Sequence, residues 1–268
     1  MTAVPVLRAT SHAWQPAVGY GLRTVTLAQR PDLLPRALEV LGSRWPAFML
    51  AGRPGHGVDL VQLLGAVPQH QVALLDERDD LLGVGLSVPL RWDRTVDGLP
   101  AGWDGAVTAA AELLDSGAAG NAVSALSITM AAGATGRGLA AGMVQALKAA
   151  AAAAGSDALI APVRPVLKAQ YPLTPMAQYL SWRTDDDRMF DPWVRLHARL
   201  GALQVGVAYP SMTITGTVAE WQDWTELSLP ASGEYVIPGG LVPLVVDKRA
   251  DSAVYREPNV WMVHRTER

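Results

Sequence analysis

The chain has 268 residues, half of them hydrophobic and 18% charged, which is enough for a sizeable buried core. A formal net charge of -3 supplies no basic field to hold DNA or RNA, so nucleic acid is excluded as an expected partner. With no cysteine there is no disulfide framework, thiolate nucleophile or Cys-ligated metal site, which suits a reducing interior and makes the cytoplasm the expected compartment.

The first twelve residues include Pro5, Arg8 and His12 and lack the apolar run behind basic residues that marks a signal peptide. Residues 31–45 place Leu33, Leu34, Leu38, Val40 and Leu41 at helical spacing, and Pro46 ends the pattern. Two strand-like runs, 71–75 and 81–89, flank the charged stretch 76–80 and predict a hairpin. An alanine-rich helix is predicted over 103–114, followed by a loop at 115–121. Next comes a strand at 125–130, a glycine-rich turn, a helix over 139–154 capped by Gly155, and a buried strand at 158–163. The stretch 139–163 is the most apolar of the chain, but Gln145, Lys148, Gly155 and Asp157 interrupt it and no membrane span is predicted.

Beyond Val163 prolines and tryptophans replace the alanine-rich pattern. Thr174-Pro175 and Asp191-Pro192 each read as a helix cap with proline in first position, opening helices to Trp182 and to about Leu200. A strand over 205–215 is interrupted by Pro210, and Thr217 with Glu220 forms a capping box ahead of Trp221 and Trp224. Runs at 235–246 and 259–264 are the last strands predicted.

The strand–turn–helix at 125–140 is an anion cradle, because glycines permit close backbone approach and the first helical turn leaves N–H groups unpaired at the positive end of the dipole. Its order in the chain, after a hairpin and before a second strand, resembles the GCN5-related N-acetyltransferase (GNAT) family. The family turn, Arg/Gln-x-x-Gly-x-Gly/Ala, is matched by Gly138 and Ala140, while Thr135 departs from it and Ala132 replaces a proline usual in the family. A later family pattern is echoed by Leu196 to Ala202, with His197 where a tyrosine often stands. The resemblance covers about residues 31–209.

The resemblance implies a mixed α/β GNAT fold, with a central mixed sheet flanked by helices. It implies one domain over 1–268, with a core at about 20–210, an insert at 164–190 after the fifth core strand and a C-terminal extension at 211–268. It also implies acyl-CoA-dependent N-acyl transfer, with acetyl-CoA as the expected donor, to the amine of a small or amino-acid-like acceptor. Pyrophosphate would sit on Thr135, Gly136, Arg137, Gly138, Leu139 and Ala140, and pantetheine along Ile128, Thr129, Met130 and Ala132. His197 would protonate the leaving thiolate. No carboxylate lies on the strand at 125–130, so Asp191, Tyr171, Tyr179 or a water relay is left as the base.

Each candidate also has a plainer role. Asp191 suits a helix cap, His197 suits a helix C-terminus, and Tyr171, Tyr179, Trp182 and Trp193 suit packing of the insert. The five histidines show no i, i+4 pair, so no metal site is expected. Gly136, Gly138 and Ala141 also satisfy a dinucleotide-binding pattern, but the acid that should end the next strand is missing, since Arg164 and Pro165 follow it. A GNAT-like protein that binds coenzyme A without turnover is the other alternative, and the insert and tail could equally form an acceptor pocket or a homodimer surface.

Overall fold

The computed structural model of the protein describes residues 21–52, 57–135 and 138–266. Its elements in chain order begin with β1 (Arg23–Thr26), a 3₁₀ turn at Pro31–Leu33, α1 (Leu34–Gly42), α2 (Ala47–Ala51) and α3 (Leu60–Ala66). They continue with β2 (Val72–Leu75), β3 (Leu81–Leu90), α4 (Gly102–Ser116), β4 (Ala122–Met130), α5 (Leu139–Ala153) and β5 (Ala158–Val163). The second half holds α6 (Met176–Ser181), α7 (Pro192–Arg199), β6 (Leu203–Gly216), α8 (Val218–Thr225), β7 (Gly233–Tyr235), β8 (Leu244–Asp247) and β9 (Ser252–Arg265).

Local sequence explains most of these boundaries. All six residues of β5 are buried, as a strand covered on both faces requires, and its continuous apolar run reflects this. The Thr217 hydroxyl accepts from the Glu220 N–H while the Glu220 carboxylate accepts from the Thr217 N–H, so the capping box forms. The run at 235–246 is two strands rather than one, because Pro238, Gly239 and Gly240 separate β7 from β8. The last strand is longer than its apolar stretch and starts at Ser252. Among the described residues no helix is long and apolar enough to cross a membrane.

Among the described residues, nine strands form one sheet in the order β1-β2-β3-β4-β5-β9-β8-β7, with β6 paired to β9. Only β4 and β5 run parallel; every other pair is antiparallel. That pattern is a mixed sheet and rules out the doubly wound parallel sheet of a dinucleotide fold. The C-terminal strand β9 lies inside the sheet, between β5 and β8, and carries β6 along its length. Pro258 has no N–H to give to a ladder, and β9 changes partner around it, from β8 at Ser252–Val254 to β5 at Val260–Arg265. The β6 register slips at the same level, between Ala208 and Met212.

Helices cover both faces. On one face, residues of α1, α2, α3, α4 and α8 pack with Val84, Leu86, Leu126, Ile160, Tyr255 and Trp261. On the other, α5 packs on Val123 and Leu159, while α6 and α7 pack on Ala161, Val163, Val260 and Met262. Alternation along β4, β5 and β9 therefore assigns each side chain to a face.

Candidate active site: a cavity through the opening between β4 and β5

Two irregularities in β4 create the site. Leu86 faces Ser127 and the next residue, Ser87, faces Ala125, so Leu126 is an extra residue that bulges from the β3–β4 ladder. Its carbonyl accepts a hydrogen bond from the Trp103 indole Nε1 at 3.0 Å. On the other edge, β4 pairs with β5 only at Val123 with Leu159 and Ser124 with Ile160. Past that register the strands diverge, and the β4 main-chain groups that point toward β5 have no strand partner. A cavity of about 590 Å³ fills the divergence, lined by Ala125 to Met130 of β4 and Ala161 to Val163 of β5.

The cavity reaches both faces of the sheet. On the α5/α7 face it is lined by Ile128, Met130, Thr135, Ala140, Trp193 and His197. Gly138 stands at the N-cap of α5 with φ +72, and no described side chain caps the helix. A left-handed residue without a Cβ is what that entry requires, and it leaves the α5 amides available to an anion. Thr129 completes the β4 set: its hydroxyl is 2.9 Å from that of Ser127 and accepts from the Trp45 indole at 3.4 Å. Ile128, Thr129, Met130, Thr135 and Ala140 thus border the cavity, Gly138 and Leu139 begin α5 beside it, and Ala132 lies in the turn without lining it. Gly136 and Arg137 lie outside the described residues.

On the opposite face the walls are Trp45, Met49, Trp103, Met212, Glu257 and Asn259, with Arg44 and Arg164. The rings of Trp45 and Trp103 meet edge to face with centroids 6.4 Å apart. Trp103 is placed by a close approach: Gly102 (φ +64) would set a Cβ 2.1 Å from Ser211 Cα, so only glycine fits there. The Ser211 hydroxyl accepts from the Trp103 N–H at 2.9 Å and donates to Asn259 Oδ1 at 2.6 Å.

His197 is 3% exposed, and its Nδ1 lies 2.9 Å from Nε2 of the fully buried His264. Burial pushes His197 down to about 4, and burial together with His197 and Lys148 pushes His264 down to about 3. Both rings are neutral at pH 7. No described group hydrogen-bonds His197 Nε2, the ring atom away from His264, and Trp193 packs edge-on against the ring at 4.6 Å. His197 is the one sequence-predicted catalytic candidate on the cavity wall.

Asp191 and Tyr179 are brought together elsewhere. Asp191 Oδ1 accepts from the N–H groups of Trp193 and Val194, and Oδ2 accepts from the Leu167 N–H and the Tyr179 hydroxyl, the last at 2.7 Å. Burial, then the hydrogen bond to Asp191, raises the Tyr179 phenol well above its usual value. Tyr171 stacks with Tyr179, Trp182 and Phe190 in the same cluster. None of the three lines the cavity; together they cap α7 and tie the insert to it. The cavity residues unmarked by sequence reasoning include Trp45, Trp103, Arg164, Glu257 and Asn259, with His264 behind His197. Only His264, inside an apolar run, carried a local signal of burial.

Comparison with known proteins bears on this geometry. No family model matches the chain. Arginine N-acetyltransferase avaD of Aspergillus versicolor is 32% identical over 277 residues, spanning 92% of this chain and 94% of the relative. Among solved structures, the GphF GNAT-like decarboxylase in complex with isobutyryl-CoA superposes with a TM-score of 0.51 at 14% identity, covering 92% of this chain and 100% of the other. The loading GNATL domain of CurA from Lyngbya majuscula gives 0.49 at 18% identity, over 71% of this chain and 87% of that one. The structural likeness shows the shared fold, and the sequence relative, matched over nine-tenths of both chains, shows the family: this chain belongs to the GCN5-related N-acetyltransferase family, the acyl-CoA-dependent N-acyltransferases.

Proposed function

We propose that the protein moves an acetyl group from acetyl-CoA to the amine of a small, amino-acid-like acceptor, and that arginine, named in its relative, is the first acceptor to test. The observation that carries this reading is a continuous cavity that spans the sheet through the β4/β5 opening. The donor enters from the α5/α7 face. Its pyrophosphate rests on the uncapped N–H groups that start α5, and its pantetheine arm pairs with the free edge of β4 as an added strand. The acceptor enters from the Trp45/Trp103 face, and the two meet in the opening.

In the transfer the amine nitrogen bonds to the thioester carbonyl, the C–S bond breaks, nitrogen loses a proton and sulfur gains one. The main-chain donors freed along β4 stabilise the oxyanion. With the shared proton on His264 Nε2, the neutral His197 keeps its own proton on Nε2 and hydrogen-bonds it to the departing sulfur. The acceptor binds as the free amine, and the proton that nitrogen loses passes through solvent to the departing sulfur, leaving His197 neutral as it began.

A thiol-release assay with acetyl-CoA and a panel of amines and amino acids tests the reading. Release of coenzyme A coupled to an acetylated product is expected. Tight binding of acetyl-CoA with no turnover on any member of the panel would replace the enzyme by a coenzyme A-binding scaffold.

A further inference from the structure

The far wall of the cavity holds an arginine that the transfer chemistry does not use. Arg164 follows the last residue of β5, lines the cavity and keeps 30% of its side chain exposed. Its Nε donates to both oxygens of Glu257, at 2.9 and 3.1 Å, and its Nη2 donates to the Gly239 carbonyl. The Tyr255 hydroxyl also lies against the guanidinium. Glu257 itself is fully buried, and its oxygens also accept from the Tyr255 hydroxyl at 2.6 Å and from Asn259 Nδ2 at 3.1 Å.

Two consequences follow from this geometry. Glu257 is saturated with donors, so its carboxylate is neither a free base nor a seat for a cation; its task is to hold Arg164. Arg164, in turn, is a guanidinium whose rotamer is already fixed and whose side chain borders the cavity. Ordering a free arginine side chain costs rotamer entropy, and here that cost is met before any ligand arrives. Charge points the same way. Among the described residues that line the cavity, Glu257 cancels one guanidinium and His197 is neutral, which leaves a net positive charge from Arg44 and Arg164 together. A wall of that kind takes an anion.

We infer that Arg164, braced by Glu257, receives a carboxylate of the acceptor, so that the substrate class is amino acids rather than simple amines. The inference rests on the acetyl transfer proposed above. Its location agrees with that reading, because Arg164, Glu257 and Asn259 share the face of Trp45 and Trp103, across the opening from His197 and α5. The carboxylate binds at the Arg164 fork and the aromatic pair provides apolar wall for the rest of the acceptor.

The test compares arginine with agmatine, which has the same amine-bearing chain without the carboxylate. A hydrogen-bonded charge contact is worth about 1.5–3 kcal/mol, or roughly 10- to 100-fold, so the wild-type protein is expected to favour arginine by that factor in kcat/KM. Arg164→Gln removes the preference by lowering kcat/KM for arginine alone, through KM, and leaves agmatine within about threefold. Arg164→Lys keeps the ion pair to Glu257 and loses the fork, so it preserves the fold and still loses most of the preference. Equal losses on both acceptors in both variants would make Arg164 a brace and overturn the inference, as would a wild-type protein indifferent to the carboxylate. A wild-type protein that acetylates no amine overturns the transfer reading itself, and this inference with it.

Discussion

His197 Nδ1 lies 2.9 Å from His264 Nε2, and the two rings reach each other across 67 residues of chain, from α7 to the last strand of the sheet. Their shared proton fixes the His197 tautomer and thereby whether its other nitrogen carries a proton. Replacing His197 with Phe is expected to lower kcat by about 100-fold while the Kd for coenzyme A changes less than about threefold. His264→Leu leaves His197 without its partner and lowers kcat in the same direction, again with little change in coenzyme A affinity. Single-turnover kinetics and calorimetry check both; unchanged turnover in His197→Phe removes the residue from the reaction.

The same burial makes stability depend on pH. His70, His197 and His264 are all held below the ordinary histidine value, chiefly by burial, so the folded protein keeps them neutral. Above about pH 6.5 neither folded nor unfolded chain binds these protons and they contribute nothing. As pH falls from 6.5 toward 4 the unfolded chain protonates first, and folding weakens by on the order of 2 kcal/mol per strongly depressed histidine by pH 5. Thermal unfolding between pH 8 and 4.5 should show a falling Tm, with a shallower fall in the His197→Phe/His264→Leu double variant. Equal slopes would show that the pair is not held neutral.

Asp191 and Tyr179 are expected to report on folding rather than on rate. Asp191→Ala strips the cap from Trp193 and Val194 and leaves the Leu167 N–H and Tyr179 hydroxyl without a partner, at a cost of about 3 kcal/mol. Tyr179→Phe removes one hydrogen bond and costs about 1–2 kcal/mol. At a temperature where both variants remain folded, kcat should stay within about threefold of wild type. Denaturant unfolding and steady-state rates separate the two effects, and a large loss of kcat in a fully folded Tyr179→Phe protein would return the phenol to the chemistry.

Gly138 offers a test of the donor side. A Cβ there meets no described residue within 4 Å, so among those residues Gly138→Ala strains only the backbone at φ +72, by about 1–2 kcal/mol. The strain falls on the turn that would carry the pyrophosphate. The expected result is a several-fold weaker Kd for acetyl-CoA with the preference among acceptors unchanged, read by calorimetry and by the amine panel. An unchanged Kd would move the pyrophosphate off this turn.

Much of the frame was legible in the chain because its causes are local. Six apolar residues between Asp157 and Arg164 mark β5, Asp191-Pro192 marks the start of α7, and Thr217 with Glu220 marks α8. The half of the cavity bordered by β4 and α5 was legible for the same reason, since a strand, a glycine turn and a helix are contiguous. The other half depends on distant pairs. Glu257 breaks the apolar pattern of β9 and hides the strand, and its burial makes sense only once Arg164, 93 residues earlier, is beside it. Trp103 faces the cavity because Gly102 lets Ser211 approach, a contact over more than 100 residues. Asp191 was read both as a cap and as a base, and its four hydrogen bonds, one of them to Tyr179, belong to the cap and the insert.

The most direct test of the account is a crystal structure with coenzyme A bound. The predicted result places the pyrophosphate on the turn that starts α5, the pantetheine arm along β4 past Ser124, and the sulfur within hydrogen-bond reach of His197 Nε2. A coenzyme A molecule bound on the Trp45/Trp103 face, or one whose sulfur lies away from the β4/β5 opening, would contradict it.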